Sequence, residues 1–74
     1  MKTINIESPV PGTVVLIHCQ DGKLVHEGEI AVTIEMMKTH IPVYAPATGV
    51  IQYLIREGEG VVKEDVLAQI HLPE

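Results

Sequence analysis

The sequence predicts an all-β fold, a flattened sandwich or barrel of two similar four-stranded antiparallel sheets, with residues 1–74 forming one domain. Three observations lead there. Gly and Pro punctuate the chain at positions 9, 11, 12, 22, 28, 42, 46, 49, 58, 60 and 73, and no stretch of 11 residues carries the apolar spacing of a helix. The runs between these breakers are short and rich in Val, Ile and Thr, the signature of strands. The two halves also repeat. Ser8-Pro9-Val10-Pro11-Gly12 parallels Ala45-Pro46-Ala47-Thr48-Gly49 at an offset of 37, whereas Gly22/Gly58, Val25/Val61, Ile30/Val66 and Ile34/Ile70 match at 36. The change of one implies a single deletion in the second corner-to-strand stretch. Two repeats are too few for a solenoid, so two half-sheets closing on each other by pseudo-two-fold symmetry are expected.

Taken in order, Thr3–Glu7 alternates as a first strand, and Ser8–Gly12 is a rigid corner because each proline holds itself and its predecessor extended. Residues 13–19 form a strand, 20–23 a turn with Gly22 at positive φ, 24–25 a short bridge and 26–29 a second turn. Residues 30–34 form a strand with Ile30, Val32 and Ile34 expected on one face and Ala31 and Thr33 on the other. After a tip at 36–39, the strand 40–44 contains Pro42, which restricts that position to an edge or to a place where the missing N–H faces away from the ladder. A second corner, 45–49, leads into strand 50–56, turn 57–60, bridge 61–62 and a last strand 66–72.

Composition narrows the function. The apolar fraction is 46%, yet there is no Phe or Trp, and Tyr44 and Tyr53 are the two aromatics. A Val/Ile/Leu/Ala core fills a thin sandwich and leaves little room for a substrate cavity of about 300–1,000 Å³. The expectation is therefore a protein that is not itself an enzyme. The net charge is −5, and the five basic residues are scattered, so no basic face for nucleic acid is present. No apolar run approaches the roughly 18 residues of a membrane span, and no signal peptide follows Lys2. A cytoplasmic protein without membrane insertion is expected. Cys19 is the one cysteine and reads as a small buried hydrophobe. His18, His26, His40 and His71 show no metal-ligand spacing, and Glu27, Glu57, Glu59, Glu64 and Asp65 read as solvated turn carboxylates.

The pivot of the repeat is Glu35-Met36-Met37-Lys38-Thr39. Two methionines stand where a hairpin turn usually takes Asn, Asp or Gly. Two exposed thioethers beside a lysine would make an adaptable surface for a partner. Here Glu35-Met36-Met37-Lys38 resembles the Glu-Ala/Ser-Met-Lys signature of the biotinyl domains of biotin-dependent carboxylases. Ser8-Pro9-Val10-Pro11-Gly12-Thr13, Glu27-Gly28, Ile41–Pro46, Thr48-Gly49 and Glu57-Gly58 are similar to the rest of that pattern, across residues 4–72. The sequence departs from it at Met36 (commonly Ala or Ser), Thr39 (commonly Met) and Lys23 (commonly Asp).

The resemblance implies a biotin carboxyl carrier, residues 1–74, of the biotinyl/lipoyl-type fold. It implies covalent attachment of biotin to Lys38 by a biotin protein ligase, with Glu35, Met36, Met37 and Thr39 as flanking recognition residues. It further implies carriage of a carboxyl group between a biotin carboxylase and a carboxyltransferase. The segment from His18 to Leu24 is too short for the protruding thumb of some bacterial acetyl-CoA carboxylase carriers and is similar to thumbless domains. Two other readings stay open: a lipoyl domain, whose lysine usually follows Asp where Met37 stands, and an unmodified structural domain in which Lys38 is dispensable.

Overall fold

A computed structural model describes residues 2–73. It contains eight strands: β1 (Thr3–Glu7), β2 (Gly12–Ile17), β3 (Leu24–Val25), β4 (Ile30–Met36), β5 (Thr39–Tyr44), β6 (Gly49–Tyr53), β7 (Gly60–Val61) and β8 (Val66–His71). Among the described residues there is no helix, so none is long and apolar enough to cross a membrane. The strands form two four-stranded antiparallel sheets, in the order β1-β8-β6-β3 and β5-β4-β2-β7. Val14, Val32, Ile34, Ile51, Leu67 and Ile70 are fully buried between them. Pro42 lies on an edge strand, β5, where its missing N–H costs the ladder nothing.

The expected two-fold pattern is present in the backbone. Gly22 N donates to Ile51 O and Gly58 N to Val14 O; Gly28 N donates to Ala45 O and Glu64 N to Ser8 O. Yet neither sheet is one half of the chain. Each takes two strands from each half, so the halves interleave and do not pack as separate layers. The one-residue change of offset is a bulge in β2. Val14 pairs with Ile34 and Leu16 with Thr33, leaving Val15 as the extra residue.

A second bulge corrects the face assignment in β4. The register shifts between Ile30 and Val32, so Ala31 is fully buried with Val32 and Ile34, while Ile30 is 37% exposed. The bulge reverses side-chain parity locally, which strict alternation cannot show. Strands β2, β6 and β8 end earlier than the sequence suggested, at Ile17, Tyr53 and His71, and β4 runs on to Met36. Cys19 thus lies beyond β2. It is half-buried against the core, and burial, followed by the Glu29 carboxylate, pushes its thiol up, away from a nucleophile's range.

Of the turn carboxylates read as solvated, Glu57, Glu59 and Asp65 instead accept backbone hydrogen bonds. Glu57 Oε2 accepts from Ile17 N at 2.8 Å, Glu59 Oε1 from Arg56 N at 2.9 Å and Asp65 Oδ2 from Val62 N at 2.9 Å. Asp21 accepts from Tyr53 N and Glu29 from His26 N at the corresponding places of the first half. These bonds fix turns that would otherwise leave backbone donors unpaired. Arg56 N thus has Glu59 three residues on, where the first half has Gln20 followed by Lys23, whose side chain has no acceptor.

Candidate functional site

Lys38 occupies the second position of the two-residue turn joining β4 to β5. Met36 pairs with Thr39 and Glu35 with His40, which leaves Met37 and Lys38 alone at the tip. Both have positive φ, 49° for Met37 and 64° for Lys38. That is the type I′ geometry that matches the twist of a hairpin, and it normally calls for Asn-Gly. With side chains of this length it carries a steric cost on the order of 1–2 kcal/mol per residue. The rest of the hairpin offsets that cost: six pairs link β4 and β5, and β4 is held on its other side by β2. The lysine is thereby exposed on a stiff mount, and its backbone direction is set by two strands.

The flanking residues divide. Met37 is 90% exposed, the expected thioether surface. Met36 is not part of it: as the last residue of β4 it is half-buried, which corrects the pair of exposed methionines expected from the sequence. Thr39 is exposed at the start of β5. Glu35 and His40 meet across the strands, with Oε2 to Nε2 at 3.2 Å, one step below the turn. His40 is therefore not a free strand histidine, and the two side chains brace the hairpin on its outer face. Among the described residues no hydrogen bond or ion pair engages the Lys38 amine. An exposed, unengaged primary amine is chemically suited to be acylated, so the residues present fit a group attached by an amide.

The mount continues into the neighbouring strand. Gly12 lies beside Glu35, and a Cβ there would run into the Glu35 carbonyl oxygen and lie 2.8 Å from Ile34 Cγ2. Its partner in the repeat, Gly49, stands in the same relation to the His71 carbonyl and Ile70 Cγ2. Only a residue without a side chain allows β2 to approach β4 this closely. Gly12, the Glu35–His40 pair and the Val15 bulge were not assigned to the site from sequence. The pairing of 35 with 40 was available by counting back from a two-residue turn, but the close approach at Gly12 depends on the packing of separate strands. Among the described residues no group of three His, Cys, Asp or Glu side chains converges as a metal site.

Comparison with known proteins places this hairpin in a family. Residues 4–70 match the biotin/lipoyl family model described as "Biotin-requiring enzyme". The chain is 35% identical over 66 residues to the biotin-dependent acyl-coenzyme A carboxylase alpha3 subunit of Mycobacterium leprae, covering 88% of this chain and 11% of that protein. It is 35% identical over 72 residues to the mitochondrial acetyl-CoA carboxylase of Saccharomyces cerevisiae, covering 97% and 3%. The chain thus spans a small fraction of the curated relatives it matches. Among solved structures, Kluyveromyces lactis urea carboxylase superposes with a TM-score of 0.88 at 26% identity, over 96% of this chain and 6% of that one. The lipoyl domain of the Azotobacter vinelandii 2-oxoglutarate dehydrogenase complex superposes at 0.75 with 28% identity, over 93% and 99%. The eight-stranded fold, the tight β4–β5 turn and the match over residues 4–70 agree: this chain belongs to the biotin/lipoyl attachment-domain family of biotin-requiring enzymes.

Proposed function

We propose that the chain is a biotin carboxyl carrier in which Lys38 bears biotin through an amide on Nζ. The observation that carries this reading is Lys38 itself, exposed and without a partner for its amine among the described residues, in a strained two-residue turn directly after an exposed Met37. When bound, biotin supplies a ureido nitrogen that takes up and releases a carboxyl group. The chain's own part is mechanical. Lys38 provides a long flexible stem, and the β4–β5 ladder aims it. Tethering keeps the group at high effective concentration near two separate catalytic sites. Once Lys38 has been acylated, no residue of this domain has to act as acid, base or nucleophile in carboxyl transfer, so catalysis resides in a biotin carboxylase and a carboxyltransferase, as domains or subunits. A biotin protein ligase is the third partner, and Glu35, Met36, Met37 and Thr39 flank the amine it would reach.

A lipoyl group is the second reading, because the Azotobacter vinelandii lipoyl domain has the same fold. Fold does not decide between the two; the residues at the turn do. Met37 stands where a lipoyl domain usually has an acidic residue, which favours biotin. The test is incubation with biotin, ATP and a biotin protein ligase, followed by intact mass. The protein gains one biotinyl group, and Lys38→Arg gains none while melting at the same temperature. Full labelling of Lys38→Arg would refute the assignment. Met37→Ala separates recognition from folding: with Met37 so exposed, labelling slows many-fold and the melting temperature stays within a few degrees.

A further inference from the structure

The two outer faces of the sandwich differ where the repeat would make them alike. On the sheet without Lys38, Gln52, Gln69 and Asn5 form one cross-strand row. Gln69 Nε2 donates to Asn5 Oδ1 at 3.2 Å, and the next row is joined in turn, with His71 bonded to Gln52 at 3.0 Å and to Thr3 at 3.2 Å. These rows are covered by their own polar side chains, and the exposed apolar residues of that face, Leu24 and Val50, lie at its β3–β6 edge. The matching row on the lysine's sheet is Leu16, Thr33 and Pro42. Two of its three members are apolar and exposed, Leu16 at 47%. The β2 bulge adds Val15, a residue for which the other face has no counterpart.

The result is an open groove of about 470 Å³ lined by Val15, Leu16, Pro42, Thr33, His18 and His40. Its polar groups are already paired within the chain: His18 Nε2 and Thr33 Oγ1 are 2.6 Å apart and hydrogen-bonded, and His40 meets Glu35. It begins at His40, two residues from Lys38, and Pro42 lies two further along β5. Two residues of strand span about 7 Å. A lysine stem extended by a valeryl chain has about ten bonds between Cα and ring, a reach on the order of 12 Å. The groove therefore lies within the arc of whatever Lys38 carries.

Resting on the reading that Lys38 is biotinylated, we infer that this groove is a resting site for the biotin ring, which folds back from the turn onto the outer face of β2, β4 and β5. The apolar floor of Leu16, Val15 and Pro42 matches the thioether ring. Thr33, between Leu16 and Pro42 in the row, with His18 and His40 offers hydrogen-bond partners to a ureido group, which has two N–H donors and one carbonyl acceptor. The bulge serves this arrangement by turning Leu16 and Val15 toward one open strip.

Backbone amide NMR spectra of the protein before and after ligation test it, with intact mass run on the same sample. Expected are shifts at Leu16, Thr33 and His40 in addition to those at the turn. Leu16→Gln with Pro42→Asn, which copies the opposite face, should still be biotinylated completely but lose the shifts at Thr33 and His40. Shifts confined to Met36–Thr39 in the unmutated protein overturn the inference without any variant, as does their persistence in the double variant. Concentration-dependent shifts at these residues in unbiotinylated protein also overturn it, because a second copy would then be the occupant. If mass shows no biotin on Lys38, the functional reading fails first and this one with it.

Discussion

Met37 and Lys38 are held in a backbone conformation that suits neither. Both sit at positive φ in a turn whose favoured residues are Asn and Gly. A carrier needs a long amine at the tip, and the strain is the cost of putting it there. Met37-Lys38→Asn-Gly should accordingly stabilise the fold by about 1–2 kcal/mol, a rise of roughly 5–10 °C in Tm for a domain of this size, while abolishing labelling by the ligase. A lower Tm would show that Met37 or Lys38 makes stabilising contacts that its exposure conceals. Lys38 was legible from the sequence because it is the pivot of a repeat and follows a recognisable triplet. The half-burial of Met36 follows from β4 running past Ile34, because Val32, Ile34 and Met36 share one face with Thr33 and Glu35 on the other; ending the strand at Ile34 hid it.

At the scale of elements, the β4–β5 hairpin is only as stiff as the β2 strand paired beside it. Gly12 lets β2 approach the Glu35 carbonyl, and Gly49 does the same for β6 at His71. Gly12→Ala and Gly49→Ala should each cost about 1–3 kcal/mol, because the obstructing atoms include backbone that cannot swing away. Their effects on labelling should differ. Gly12→Ala displaces Glu35 and slows biotinylation, whereas Gly49→Ala, in the other sheet, leaves its rate near that of the unmutated protein below the melting transition. Equal rates would mean that the hairpin positions Lys38 independently of β2. Strand order along the chain followed from Gly, Pro and β-branched runs, but the register shifts at Val15, at Ala31 and at its repeat partner Leu67 did not. A bulge adds one residue and inverts the alternation after it, and the sequence at Val15 and Ala31 is as apolar as its neighbours, so nothing local marks the slip.

Across the whole molecule, the interleaved halves make the two sheets interdependent, and one side chain ties them directly. Tyr53, at the end of β6, donates its hydroxyl to the Ala31 carbonyl of β4 at 3.0 Å. Burial, with the nearby Cys19 thiol second, pushes this phenol up from 10.0 to about 12. A phenol whose folded pKa is raised favours the fold only while neutral. Its contribution is complete below pH 10 and is lost as pH climbs through 12. Unfolding free energy followed by urea titration should fall across that window. Tyr53→Phe should be less stable by about 1 kcal/mol at neutral pH, having lost one hydrogen bond, and should show a shallower alkaline loss. An identical alkaline slope in the two proteins would mean that Tyr53 does not ionise with unfolding. The repeat made the symmetry of the molecule visible in advance, but not the exchange of strands between sheets, because offset residues match equally well in either arrangement.

The central claim, a rigid two-sheet mount for one modified lysine, is tested most directly by peptide mapping of ligase-treated protein. Mass spectrometry should find a single biotinyl group, on the peptide containing Lys38, with Lys2, Lys23 and Lys63 unmodified. Biotin on another lysine, or a protein that takes lipoate at Lys38 and refuses biotin, would contradict it.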